Sequence, residues 1–109
     1  MWLFVFFDLP TGLPQERKDA QTFRKHLEED GFTMMQFSVY IRHCSSLETA
    51  NVHIKRVKGM MPEKGKVSVL MITDKQYSKM YNFFGLPRKC KTKDLGKKII
   101  TMPLQLEFF

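Results

Sequence analysis

The fold turns on the stretch Phe32-Thr33-Met34-Met35-Gln36-Phe37-Ser38-Val39-Tyr40-Ile41-Arg42-His43. Met35, Phe37, Val39 and Ile41 alternate with Gln36, Ser38, Tyr40 and Arg42, the period of two expected of a β-strand with one buried face. The run is long for one strand. A bend or bulge is therefore expected near Gln36–Ser38, making two consecutive strands. Helical patterns flank it on both sides. Residues 15–30 place Ala20, Phe23 and Leu27 on one stripe, and Gly31 stands where a glycine closes a helix. Downstream, Ser45 and Glu48 form a capping box. It opens a second helix with the stripe Leu47, Ala50, Ile54, Val57 and Met61, ended by Pro62. His53, Lys55, Arg56 and Lys58 are expected to project mostly away from that stripe.

Outward from these elements lie two more strands. Trp2-Leu3-Phe4-Val5-Phe6-Phe7 is continuously apolar and reads as a central strand covered on both faces. It stops at Asp8, and Pro10, Gly12 and Pro14 mark a turn. Lys66–Thr73 is the fourth strand. The order β-α-β-β-α-β predicts an α+β, ferredoxin-like sandwich, with two helices on one face of an antiparallel sheet. A second capping box, Thr73 with Gln76, predicts a short extra helix carrying Tyr77, Met80, Tyr81 and Phe84, closed by Gly85 and Pro87. The chain thus reads as a single domain over 1–109, with a core at 1–84, a basic loop at 85–103 and a C-terminal strand at 104–109. That last strand falls outside the core unit and needs a sheet edge, for which a symmetric partner is a natural source.

Charge is unevenly spread. Of 18 Lys and Arg and 11 Asp and Glu, residues 1–35 hold four basic and six acidic groups, whereas residues 36–109 hold fourteen and five. The net charge of +7 favours a polyanionic partner, nucleic acid first among them. The densest basic stretch is 88–98, with Arg88, Lys89, Lys91, Lys93, Lys97 and Lys98. It is the best sequence-level candidate for phosphate contact, against the plainer reading of a solvated tail. No aromatic interleaves it, so stacking on single strands is not indicated there. Cys44 and Cys90 are far apart and form neither a disulfide framework nor a zinc motif of usual spacing. The apolar N-terminal run is one strand long and lacks a basic start. No segment reaches the ~20 apolar residues of a membrane helix. A cytoplasmic chain with no membrane partner is expected.

Two short motifs carry a family resemblance. Phe6-Phe7-Asp8-Leu9-Pro10-Thr11, directly after the first strand, resembles the opening signature of the CRISPR-associated protein 2 family. Gln36-Phe37-Ser38-Val39-Tyr40 resembles its second signature. Length, element order and a basic tail ending in a strand are similar as well, so the resemblance spans essentially the whole chain. It implies a ferredoxin-like homodimer of the spacer-acquisition machinery. Two roles are implied for such a dimer. One is to bind duplex DNA (the prespacer) and bridge the CRISPR integrase, CRISPR-associated protein 1. The other is metal-dependent endonuclease activity on RNA or DNA. The alternative is a ferredoxin-like nucleic-acid-binding or regulatory domain with no catalytic role.

The resemblance also implies a site. Asp8 ends a buried strand and enters a loop, a common position for a functional carboxylate. The family's matching aspartate faces its copy across the dimer axis, and the two can hold one Mg²⁺. The plainer reading is that Asp8 caps the turn at Pro10–Gly12. Arg17 matches an early-helix basic position of the family. Arg24, seven residues on, stands above it on the same helix face. Both are candidate phosphate forks, against a solvated face with an Arg24–Glu28 pair. Phe37 falls in the apolar phase of its strand and is expected in the core. Arg42 falls in the polar phase and is a candidate nucleic-acid contact. His26, His43 and His53 lack partners at ligand spacing and are expected in surface or structural roles. Leu104, Leu106, Phe108 and Phe109 are candidates for docking on a sister chain or on the integrase.

Overall fold

The structure, a computed structural model, describes residues 1–86 and the backbone of 100–103. The basic segment 88–98 and the stretch 104–109 lie outside the described residues. The chain forms two compact units, Met1–Asp74 and Lys75–Phe109.

In the first unit, β1 (Trp2–Asp8) is followed by α1 (Pro14–Glu29), β2 (Thr33–Gln36), β3 (Val39–His43), α2 (Leu47–Met60) and β4 (Lys66–Ile72). The strands form one antiparallel sheet in the order β2-β3-β1-β4. This is the ferredoxin-like arrangement. β1 is central, as its composition requires. Leu3, Val5 and Phe7 lie on one face and join Phe23 and Leu27 of α1 and Ala50 and Val57 of α2 in the core. Trp2 and Phe4, on the opposite face, are buried as well. The alternation stops there, because Phe6 is 39% exposed and Asp8 is exposed.

The bend expected within 32–43 occurs. The β2–β3 register shifts between Met34 and Gln36, and Ser38 adopts a positive φ of 64°. That shift breaks the phase of the alternation. Phe37 therefore does not enter the core; it stands in the turn, 79% exposed.

α1 starts on Pro14, whose fixed φ suits the first helical position. Glu16 Oε1 accepts the Leu13 N–H at 2.9 Å. The helix ends in a paired motif: Phe32 N–H donates to Leu27 O (2.9 Å) and Gly31 N–H to Glu28 O (3.0 Å). Gly31 has φ +91°, and a Cβ there would run into the Arg42 guanidinium.

Four sequence expectations are corrected. α2 is capped by Ser46, whose side chain accepts from Thr49 N–H at 3.2 Å, and not by Ser45 with Glu48. Cys44 remains tied to the sheet, donating its N–H to Met1 O (2.8 Å) and burying its side chain, which moves the helix start one residue on. The α2 stripe is rotated accordingly. His53 is buried with Ala50 and Val57, while Leu47 and Met61 are exposed. α3 is limited to Asp74–Tyr77, and in the second unit Tyr81 and Phe84 belong to a strand instead of a helix. Lys79 N–H and Met80 N–H close i→i+3 bonds to Gln76 O and Tyr77 O, which end the turn. The following Tyr-Asn-Phe-Phe favours extended backbone. β5 (Tyr81–Phe84) pairs antiparallel with β6 (Ile100–Pro103), a strand inside the stretch read as loop.

Gly31→Ala should destabilise the fold by about 1–3 kcal/mol, because it combines a positive φ with displacement of Arg42. A drop in the urea midpoint at unchanged m-value would show it; an unchanged midpoint would refute the assignment.

Candidate functional site

The two sequence motifs meet at the end of β1. Phe7 N–H donates to Ser38 O at 3.1 Å, and Phe6 lies opposite Val39. The turn after β2 is thereby fixed against the segment that presents Asp8. By alternation with Trp2, Phe4 and Phe6, Asp8 belongs to the sheet face opposite α1 and α2. It lies opposite Lys66 of β4. Gly65, at φ +101°, lets the chain pass closely: a Cβ there would sit 2.8 Å from Asp8 O.

Arg17 secures the loop that follows. Its Nη1 donates to Thr11 O (3.1 Å) and Gly12 O (3.3 Å). The carbonyls of the turn at Pro10–Gly12 are thus held by a cation on α1. Arg24 lies over two aromatic rings, 5.7 Å from the Phe7 centroid and 5.1 Å from that of Phe37. Glu28, its i+4 neighbour, accepts from the Tyr40 hydroxyl at 3.3 Å. Burial, and then the Glu28 charge and hydrogen bond, push the Tyr40 phenol above its ordinary range. Arg17, Arg24, Lys18 and Phe37 line a common groove of about 510 Å³ with Thr11, Pro14 and Gln21.

Arg42 is turned to the α1–β2 connection, where Nη1 donates to Asp30 O at 2.9 Å. His43 Nε2 is 3.3 Å from Asp74 Oδ1, and its ring meets Trp2 edge-on. The expectation of surface or structural roles for these histidines holds for His43 and His53.

Sequence reasoning missed a buried charge cluster. Asp30, the C-cap of α1, lies 2.7 Å from His53 Nδ1 and 2.8 Å from Arg56 Nη1. Its side chain is only 10% exposed. Burial pushes the carboxyl up, but the hydrogen bonds and positive charge of His53 and Arg56 outweigh it. Asp30 lies below the ordinary aspartate value. His53 and Arg56, three apart on α2, were the available signal, but only the packing of α2 against α1 brings them to Asp30.

Among the described residues no group of three or more His, Cys, Asp or Glu could hold a metal ion. No helix among them is long and apolar enough to cross a membrane. Asp8 is the one carboxylate within the two motifs, and Mg²⁺ takes one or two carboxylates together with waters and phosphate oxygens. Two copies of Asp8 would meet that requirement.

The family model described as CRISPR associated protein Cas2 matches residues 1–80. A protein of Flavobacterium psychrophilum is 55% identical over 85 residues, 78% of this chain and 74% of its own. One from Parvibaculum lavamentivorans is 46% identical over 109 residues, the full length of both. One from Ligilactobacillus salivarius is 42% identical over 85 residues, 78% of this chain and 84% of its own. Each carries the name CRISPR-associated endoribonuclease Cas2.

Asp30→Asn should cost about 2–3 kcal/mol at pH 7, since it leaves a buried donor set around a neutral group. A depressed folded pKa stabilises above the unfolded value, near 3.9, and the gain disappears as pH falls through the folded value. The stability difference between wild type and Asp30→Asn should therefore shrink as pH falls below about 4. A difference independent of pH would contradict the charge assignment.

Proposed function

The chain belongs to the CRISPR-associated protein 2 family, and on that premise we propose that it works as a nucleic-acid-binding homodimer of the spacer-acquisition machinery, with Asp8 of the two copies forming one phosphodiesterase centre. The observation that carries this reading is the position of Asp8. It is exposed at the end of the central strand, on the face opposite both main helices. A two-fold axis passing next to Asp8 on that face would set one Asp8 beside the other. The names of the relatives support RNA as a substrate; the positive charge of residues 36–109 supports binding of any polyanion, duplex DNA included.

Two adjacent carboxylates repel, which favours taking up a divalent cation between them. Mg²⁺ held there would polarise a phosphodiester and lower the pKa of a water. The protein's own residues orient the site. Phe7 and Ser38 fix the end of β1 and Arg17 fixes the loop beyond Asp8; the basic groups of the groove, on the α1 side of the sheet, would bind backbone phosphates away from the Asp8 face. Arg88, Lys89, Lys91, Lys93, Lys97 and Lys98 would add phosphate contacts, each raising the salt slope on duplex DNA by about 0.9.

The second reading, a non-catalytic subunit that holds duplex DNA and bridges the CRISPR integrase, is favoured by the sparseness of the acidic set, one carboxylate per chain. Leu104, Leu106, Phe108 and Phe109 would then dock on a sister chain or on the integrase.

Purified wild type and Asp8→Ala, incubated with RNA and duplex DNA in Mg²⁺ between about pH 6 and 9, separate the two readings. Cleavage by wild type that is lost in Asp8→Ala, by about 10²-fold or more, supports the centre. No cleavage, or equal cleavage by both proteins, sinks it and leaves the bridging subunit. Removing residues 104–109 should weaken assembly with the sister chain or integrase while leaving the monomer's circular dichroism unchanged; unaffected assembly would refute the docking role.

A further inference from the structure

We propose that Phe37 is the outer plate of a stacking site for one unpaired nucleobase of a single strand, with Arg17 and Lys18 beside it for the flanking phosphates. The inference rests on the nucleic-acid reading above and adds a site to it.

A lone exposed aromatic on a protein surface is ordinary. Phe37 is not alone. Beneath it lies the Arg24 guanidinium at 5.1 Å, and beyond that the Phe7 ring, 5.7 Å from the same guanidinium. Phe7 is in turn held edge-on by Phe23 (5.2 Å) and tilted against Tyr40 (5.7 Å), both in the core. The result is a ladder of planar groups running outward from the core: ring, guanidinium, ring. Its inner rungs are buried or half-buried, and its last rung is 79% exposed. A nucleobase is the natural next rung, since every base has a π-face.

The mounting is stiff. The turn that carries Phe37 is hydrogen-bonded to β1 through Phe7 N–H and Ser38 O (3.1 Å), and Ser38 is held at φ 64°. A platform already ordered loses little freedom on binding. The groove at its edge supplies the rest of a nucleotide site. Arg17 uses Nη1 on the loop carbonyls of Thr11 and Gly12, and a guanidinium has five donors in all. Lys18 and Arg17 both line the groove with Phe37. A cation beside an aromatic plate suits a strand whose bases are unstacked. A duplex keeps its bases paired inside and can offer this plate only its ends.

The test is equilibrium binding of the full-length protein in EDTA, which withholds the metal needed for cleavage. The probes are short single-stranded DNA and RNA carrying 2-aminopurine, whose fluorescence drops on stacking, and a blunt duplex of the same length. Wild type should quench the probe on single strands. Phe37→Ala should abolish the quench and weaken single-strand binding about 5- to 100-fold, leaving duplex binding unchanged. Phe37→Tyr should keep both the quench and the affinity. Arg17→Gln should lower the single-strand salt slope by about 0.7. A stronger quench with DNA or with RNA identifies the preferred strand, and either supports the platform. A quench that survives in Phe37→Ala, or equal losses on single strands and duplex, overturns the platform while the nucleic-acid reading stands. Failure of wild type to bind any probe overturns both.

Discussion

Pairing of β1 along both edges holds the rest of the structure in place. Phe4 lies between Ile41 and Leu70, and Val5 between Tyr40 and Val69. With both edges bonded, β1 cannot slip by one residue without turning Leu3, Val5 and Phe7 out of the core. That rigidity fixes where the strand ends, and the candidate site is arranged around that end. Asp8 is its last residue, the loop clasped by Arg17 follows it, and the turn carrying Phe37 is bonded to it through Phe7.

The far end of α1 is fixed by a different force. A buried aspartate is costly unless its charge is paired and its oxygens are hydrogen-bonded. Asp30 meets both conditions, with His53 on one oxygen and Arg56 on the other, while its backbone carbonyl accepts from Arg42. One residue thus ties α1, α2 and β3 together at the point where the chain reverses into β2. Gly31 is required there because the reversal needs a positive φ and the space above it is filled by Arg42. The apolar core holds these elements in contact, and the cluster adds directional bonds between α1 and α2.

Much of this was legible in the sequence, and the failures have physical causes. The period-2 run at 32–43, the stripe Ala20, Phe23 and Leu27, and the apolar run at 2–7 each reported a covered face, so the four-stranded sheet with two helices followed from local pattern. Alternation places Phe37 in the core only if its phase runs through 36–38, and the bulge there resets it. Tyr77, Met80, Tyr81 and Phe84 at helical spacing also fit a short helix and a strand laid end to end. The burial of His53 is not legible locally, because its partner Asp30 lies 23 residues away in sequence. At the site, the motifs located Asp8 and the Phe37 turn but said nothing of the cation–π ladder, which exists only once α1 crosses the sheet.

A centre that draws one carboxylate from each chain carries a consequence that a self-contained active site does not. Its competence depends on association, so dilution below the dimer dissociation constant removes activity without unfolding either copy. Under that proposal, substituting one copy in a mixed dimer would remove half of the cation's carboxylates, and among the described residues no group of three or more His, Cys, Asp or Glu could hold it within one chain. The stacking plate behaves differently. Phe37, Arg24 and Phe7 all belong to one chain, so each copy carries every element of the proposed platform, and a dimer would present two of them.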